Sequence, residues 1–521
     1  MSDNRGSDNG GSDNGGSGRD DHDGFDTSSE RDDEFDETDL GDDNANPLAD
    51  LSPFAEGDEG TNLDDDSDFE LEDTEYQDDA DRVYEELLAR IGEAAPQPRL
   101  EATRRAVELL GDPQRTFPIV HVTGTNGKTS TSRITESILR AYGLRTGLMT
   151  SPHLRRVNER IVIDGQPISN RALAANWADI RPFLDMVDAE LIAGSEEPLT
   201  FFEALTVLAF ASFADAPIDV AVIEVGMGGE WDSTNVGDGQ VAVFTPIALD
   251  HTQRLGSTVA EIARTKSGII KPLANVVSAV QTDDALAELE RAVELTESTF
   301  AVEGTGFELL GSSVAVGGQV ISVRGLAGTY SDLFLPMFGD HQGHNAALAI
   351  AAVESFLGAG SQALVGDVLA EGLATATSPG RLQIIGNEPT VIVDAAHNPH
   401  GAAALAAALK TYFTFDEVVV VLGVLQDKDA RGIIAALAPV TARFHVTQSQ
   451  SERAVAYDDL AELVLEATHD DATFRFDTFE HAMQDAREWA AEAPRRAVVV
   501  TGSVTLVGEA IDLAAAEKWK Q

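Results

Sequence analysis

The chain has no cysteine in its 521 residues, which excludes disulfides, thiolate metal sites and a cysteine nucleophile. It also has no apolar run long enough to cross a bilayer, and its N-terminus reads "MSDNRGSDNG" rather than a basic and then apolar leader. A cytoplasmic protein without a membrane partner is therefore expected. Positive charge is scarce: 36 Lys+Arg stand against 89 Asp+Glu, a formal net charge of -53. A surface of that sign repels phosphate backbones, so no nucleic-acid partner is expected. Lysine is the rarer cation, with seven lysines against 29 arginines.

The acidic residues fall into two groups. Residues 1–80 hold 30 acidic and 3 basic residues. Segments such as "SDNGGSDNGGSG" and "DDEFDETDLGDD" offer few apolar groups against strong self-repulsion. They cannot offset the entropy of ordering, and a disordered acidic tail is expected over 1–80. The remaining residues carry 59 acids and 33 bases, yet they show clear helix and strand periodicity. An acidic, lysine-poor folded body suggests adaptation to concentrated salt, where screening relieves like-charge repulsion. In such a chain the retained lysines mark places worth inspecting, and Lys128, Lys266 and Lys428 all fall inside motifs.

From residue 81 onwards strands and helices alternate. "FPIVHVTG" reads as a buried strand running into a glycine loop, followed by the helix "TSTSRITESILRAYG". "DVAVIEVG" and "QVAVFTPIAL" are β-branched runs of the kind found in buried parallel strands. Shorter glycine-containing strands are expected over 305–335. The Pro- and Gly-containing segment "TATSPGRLQIIGNEP" is the natural domain boundary, dividing the body into 81–377 and 378–521. A second alternating series follows it, so both parts are read as α/β with mainly parallel sheets.

The motifs sit at strand ends. "HVTGTNGKTS" lacks the usual Walker spacing, because Val122 occupies the position of the first glycine. It nevertheless supplies Gly124, Gly127, Lys128 and hydroxyls at Thr129 and Ser130 between a strand and a helix, the setting a phosphate loop requires. Glu224 ends a Val/Ile-rich strand, where ligands collect in open α/β sheets and where a carboxylate suits Mg2+. Asp250 and His251 in "IALDHTQRLG" end another strand. Lys266 interrupts a helix face formed by Ile262, Ile269 and Ile270. "VIVDAAHNPHG" ends the first strand of the second series with Asp394 and places His397, Asn398 and His400 in the turn before a helix. Taken singly, each also fits a structural turn, cap or solvated side chain.

Taken in order, the series "HVTGTNGKTS", "TSPHL", "NERI", "TFFE", "EVGMGG", "WDSTN", "LDHTQRLG", "TKSGIIK", "GDHQGHNAALA", "PGRLQ", "DAAHNPHG", "GVLQDKD" and "TGSVTLVGE" resembles the folylpolyglutamate synthase/dihydrofolate synthase family of the Mur-ligase superfamily. The resemblance covers residues 82 to about 510. It implies a Mur-ligase-like P-loop ATPase domain with a mainly parallel sheet, followed by a smaller Rossmann-like α/β C-terminal domain. It also implies ATP, two Mg2+ sites and K+ as cofactors. Gly124, Thr125, Asn126, Gly127, Lys128, Thr129 and Ser130 would hold the phosphates, with Asn345, Arg381 and Asp394 also contacting ATP. Ser151, Glu224 and His251 would bind Mg2+. Lys266 matches the family lysine that is carbamylated, and His397 would lie near the transferred phosphate. Thr200, Phe201, Phe202 and Glu203, with Trp231, Asp232 and Ser233, match pterin-side contacts. Glu230 departs from the family pattern, where a basic residue is frequent.

The implied reaction is ATP-dependent amide formation between a pteroate or folate carboxylate (dihydropteroate or a reduced folate) and L-glutamate, through an acyl phosphate, by a monomer. With the salt-adapted composition, the resemblance points to a halophilic archaeon. Two other readings stand beside it: a Mur-type amino-acid ligase for another precursor, and a P-loop ATPase module that is not a ligase.

Overall fold

The structure, a computed structural model, describes residues 74–92, 97–468 and 472–519. The expected acidic tail lies outside the described residues as far as residue 73. Beyond it, a helix spans Gln77–Leu88, so Asp78, Asp79 and Ala80 belong to that helix rather than to a tail ending at residue 80. Asp78 and Asp79 occupy its first turn, where carboxylates favour the helix dipole, and Ala80, Val83 and Leu87 are buried.

The first eight strands are β1 (Ile119–Thr123), β2 (Thr146–Met149), β3 (Ile161–Ile163), β4 (Gln166–Pro167), β5 (Val220–Glu224), β6 (Gly239–Phe244), β7 (Asn275–Ser278) and β8 (Thr299–Val302). They form one sheet in the order β4-β3-β2-β5-β1-β6-β7-β8. The six strands from β2 to β8 in that order pair in parallel, and β3 and β4 add antiparallel at one edge. The apolar strands have helices on both faces. Val120 and Val122 pack toward helices Lys128–Ala141 and Asp340–Gly358, while Ile119 packs toward helices Asn170–Ala193 and Phe201–Asp215. This two-sided burial is why the strands read as continuous apolar runs.

The glycine-containing strands are β9 (Glu308–Ala315), β10 (Gly318–Arg324) and β11 (Thr329–Leu335), which form a separate antiparallel sheet. The last six are β12 (Gln383–Asn387), β13 (Thr390–Asp394), β14 (Glu417–Leu422), β15 (Arg443–Val446), β16 (Thr473–Arg475) and β17 (Arg496–Thr501). Their order is β12-β13-β17-β14-β15-β16, parallel except for β12. β12 arises within the segment read as a boundary. Helix Asn170–Ala193, which carries Pro182 in its interior, matches no element named from the sequence. No helix among the described residues is long and apolar enough to cross a membrane.

Parallel register lines up the strand ends that build the site. Thr123, Phe244, Ser278 and Val302 lie in one row across β1, β6, β7 and β8. On the other side of β1, Val122 pairs with Glu224 and Ile223 with Met149. In the second sheet Asp394, Thr501 and Leu422 form a similar row. The C-terminal ends of both sheets open into one cleft.

The two sheets are held together by close backbone contact. A Cβ on Gly508, in helix Val504–Ala516, would lie 2.1 Å from the carbonyl oxygen of Leu154. Ser130 and Ser378 also share a hydrogen bond of 3.0 Å. Gly508→Ala forces a main chain to move, so it is expected to destabilise the protein by about 1–3 kcal/mol in urea unfolding. A loss below about 0.5 kcal/mol would show that the two parts slide apart freely there.

Candidate active site

The cleft encloses roughly 1400 Å³, and every site residue expected from the sequence lines it. Its base is the loop after β1. Gly124 adopts φ 148° and Gly127 φ 92°. A Cβ on Gly124 would lie 1.9 Å from Thr245 Oγ1, and one on Gly127 would lie 2.6 Å from Asn345 Oδ1. Both glycines are therefore required by space as well as by φ. The amides of Thr125 and Asn126 donate to the Pro246 carbonyl, and the Thr125 hydroxyl donates to the Ala248 carbonyl. These bonds pin the loop to the chain that follows β6. Helix Lys128–Ala141 starts directly from the loop, and Lys128 Nζ donates back to the Thr125 carbonyl at 3.3 Å. A ring of backbone, a helix N-terminus and a lysine fit a triphosphate.

The two hydroxyls of the loop diverge. Thr129 Oγ1 donates to the Glu224 carboxylate at 3.0 Å, whereas Ser130 turns to Ser378 and is buried. Thr129 is thus the hydroxyl on the carboxylate side. Glu224, 1% exposed, also accepts from the Ser151 amide at 3.3 Å. Burial pushes its carboxyl above the ordinary range, opposed by Lys128. Among the described residues no three His, Asp or Glu side chains cluster as a metal cage. One carboxylate beside hydroxyls and a phosphate loop is instead the donor set of Mg2+, which keeps water and takes substrate phosphate oxygens. His251 sits at φ 49° with its Nε2 3.8 Å from Asp250 Oδ2, and burial lowers its pKa to about 4.

Lys266 is buried, and its Nζ donates to the Gly124 carbonyl at 2.7 Å. Burial, reinforced by Lys128, brings its pKa down to about 7. The helix lysine that looked out of place thus reaches under the phosphate loop as an amine whose neutral form is accessible near neutral pH.

Across the cleft, Asp394 accepts from the amides of Leu382 and Ala396, both at 2.9 Å. His397 Nδ1–H donates to the Ala395 carbonyl, which leaves Nε2 as the free nitrogen, and burial lowers its pKa to about 4. Arg381 lines the same wall. Two bridges cross the cleft. Asn126 bonds to Asn398 and to His400, each at 3.0 Å, and Lys428 pairs with Asp250 at 3.2 Å.

On the far side, several of the residues expected at the substrate also carry structural bonds. Thr200 and Glu203 form a reciprocal cap on helix Phe201–Asp215, and Glu203 also pairs with Arg99. Asp232 accepts from the Met227 amide and from the Thr234 amide and hydroxyl. Ser233 bonds to Thr206, and Phe201 is buried. Phe202 and Trp231 present partly exposed rings to the cleft. Glu230 is not part of the cleft wall; its side chain is exposed.

Several groups here were not picked out from the sequence. His153 accepts from Arg160 and neighbours Tyr84, while Arg160 lies 5.1 Å from the centre of the Phe201 ring. His121 reaches Thr234 at 2.9 Å; because the Thr234 hydroxyl donates to Asp232, the imidazole is the donor. "TSPHL" and "NERI" carried His153 and Arg160, but nothing in their spacing showed that they meet.

The chain matches the family model "Mur ligase middle domain" over residues 122–353 and "Mur ligase, glutamate ligase domain" over 380–504. It is 43% identical over 445 residues to the dihydrofolate synthase/folylpolyglutamate synthase of Mycobacterium tuberculosis, covering 81% of this chain and 91% of that one. It is 36% identical to the folylpolyglutamate synthase of Lacticaseibacillus casei over 78% of this chain and 94% of that one. The structure of the Mycobacterium tuberculosis folylpolyglutamate synthase complexed with ADP superposes with a TM-score of 0.80 at 42% identity, covering 84% of this chain and 99% of that one.

Gly124→Ala tests the loop without touching any charge. A side chain there strains the backbone and collides with Thr245, and strain of about 1–3 kcal/mol concentrated in the loop corresponds to a loss of roughly fivefold to a hundredfold in affinity. The variant is expected to show that loss for a nucleoside triphosphate in calorimetry. Unchanged affinity would mean that phosphate does not bind the loop.

Proposed function

Because the chain belongs to the dihydrofolate synthase/folylpolyglutamate synthase family of Mur ligases, we propose that it uses ATP to join L-glutamate to the carboxylate of a pteroate or folate. One arrangement carries the reading: a phosphate loop with Glu224 behind its Thr129, facing Asp394 and His397 across a single cleft. A free carboxylate is a poor electrophile. Phosphorylation converts it to an acyl phosphate, the glutamate amine attacks the carbonyl, and phosphate leaves.

The residues of this chain divide the work. Gly124–Ser130 hold the phosphates, and Lys128 balances charge on the group being transferred, by positioning and electrostatics. Arg381, Asn345 and Asp394 hold the rest of the nucleotide. Glu224, with Ser151, Thr129 and His251 at the edge, would hold Mg2+, which supplies neutralisation of phosphate charge. His397, neutral with a free Nε2, can accept a hydrogen bond from the glutamate amine, which attacks in its deprotonated form. Phe202 and Trp231 offer a surface for a flat bicyclic ring. The bridges from Asn126 and Lys428 keep water from the reacting carbonyl.

Carbamylation of Lys266 is part of the proposal. A neutral amine adds to CO2, forming an N–C bond and releasing one proton, and the product is a carboxylate-like group suited to a second Mg2+. The burial that lowers the amine's pKa favours the reactive form. K+ as a further cofactor, a monomeric state, a cytoplasmic location, and a domain boundary between residues 377 and 378 are likewise proposed. Salt adaptation and an origin in a halophilic archaeon are proposed on the acidic, lysine-poor composition.

Two measurements test the reading. With Mg-ATP, dihydropteroate and glutamate, phosphate release should depend on glutamate, and Lys128→Ala should retain less than about one per cent of it while its melting curve is unchanged. Repeating the assay with a reduced folate, and weighing the products, separates first-glutamate addition from chain extension.

Lys266→Ala and Lys266→Arg should both be nearly inactive, since a guanidinium cannot become a carbamate. Acetate should restore part of the rate to the alanine variant. Full activity in Lys266→Arg would show that only a cation is needed.

A further inference from the structure

On the side of β1 away from Glu224, the row of strand ends leads to a pair that the proposed reaction does not use. Val302 closes the row, and Glu303 follows it, with its amide donating to the Ser278 carbonyl at 2.9 Å. The Glu303 side chain is only 5% exposed, yet it lines the cleft. His344 Nδ1–H donates to its Oε1 at 2.5 Å, and this bond raises the pKa of His344. Among the described residues the second carboxylate oxygen has no hydrogen-bond or ion-pair partner, although the side chain is nearly buried. That oxygen faces the cleft and stays open to a donor that enters it.

Its position matches one part of a nucleotide. Three strand spacings separate the end of β1 from the end of β8, about 14 Å in all, the reach of an extended nucleoside triphosphate from its outer phosphate to its base. His344 adjoins Asn345, which touches the phosphate loop at Gly127. Between the loop and Glu303 the wall is Ala279 and Val280, and Val280 is an apolar side chain 59% exposed in the cleft. A planar base laid on Val280 would cover it and bring its edge to Glu303.

Resting on the nucleotide-dependent reading above, we infer that Glu303, held in place by His344, reads the base and selects a purine that carries an amino group at position 6. Adenine presents an N–H donor at that position, whereas guanine presents a carbonyl oxygen. The free carboxylate oxygen accepts from the first and repels the second. His344 is a positioning residue, because it holds Glu303 through its other oxygen.

The test is equilibrium binding by calorimetry to the full chain in Mg2+ buffer. The probes are ATP, GTP and purine riboside triphosphate, which has only hydrogen at position 6. The wild type should bind ATP on the order of tenfold to a hundredfold more tightly than either of the others. Glu303→Gln should narrow the gap to GTP, since an amide can donate to the guanine oxygen. His344→Ala should weaken ATP while leaving purine riboside triphosphate nearly unchanged. As a contrast, Lys128→Ala should weaken all three alike. Equal wild-type affinity for ATP and purine riboside triphosphate overturns the inference without any variant, and so does a Glu303→Gln protein that keeps wild-type ratios. Failure of the wild type to bind any of the three overturns both this inference and the ligase reading, whereas tight binding without base preference overturns only this one.

Discussion

Parallel register is the constraint on which the molecule depends. Because β5, β1, β6, β7 and β8 pair in step, their C-terminal ends finish in one row. The residues that follow the row build the cleft: Gly124 after β1, Ala279 after β7 and Glu303 after β8 line it, and the buried Thr245 after β6 backs the loop at Gly124. Glu224 ends β5 on the other side. A one-residue slip would reverse the facing of every side chain in the slipped strand. The two buried layers against the sheet hold that register, so the apolar core and the site geometry are one problem. Gly124 shows how little slack remains, since the loop lies so close to Thr245 that a single carbon would not fit.

The cleft gathers ionisable groups that burial alone would make unfavourable. Glu224 and Asp394 are both pushed up by desolvation, while Lys266, His251 and His397 are pushed down. Fixed donors and neighbouring charges moderate these shifts: backbone amides for Asp394, Thr129 and Ser151 for Glu224. Paired shifts in opposite directions leave the site poorly charged on its own and ready for a polyanion and its cations. The histidines then act as neutral rings rather than as cations at physiological pH.

Much of this was legible in the sequence. The strand–loop–helix around Lys128, the strand-end acids and the second α/β series follow from periodicity and punctuation, which are local properties. Helix Asn170–Ala193 was harder to read because Pro182 breaks the pattern, although Leu173, Trp177, Ile180, Leu184 and Val187 keep a helical spacing. β12 was hidden inside a Pro- and Gly-containing stretch. For the site, motif order named residues that meet in one cleft but could not show their bonding partners. Thr200, Glu203, Asp232 and Ser233 look like substrate ligands in one dimension; in three they cap a helix and tie a loop. Ser130 and Thr129 are equivalent in sequence and diverge only because Ser378 lies opposite one and Glu224 opposite the other. The Thr129 and Ser130 partners lie 95 and 248 residues away along the chain, which no local pattern records, whereas the Thr200–Glu203 cap is a local spacing that the sequence itself carries.

Charge economy explains how a chain with a net charge of -53 can receive a triphosphate. Two of its seven lysines, Lys128 and Lys428, line the cleft as cations with Arg381, and Lys266 lies beneath the loop. At about 1 M salt the Debye length is ~3 Å, so repulsion between the exposed carboxylates and an approaching polyanion is largely removed. Contacts formed inside the cleft are shielded from that screening by burial. Lys428 is 9% exposed and 3.2 Å from Asp250, and Lys266 lies 2.7 Å from the carbonyl oxygen it meets. Salt thus removes the long-range penalty while leaving the short-range attraction in place.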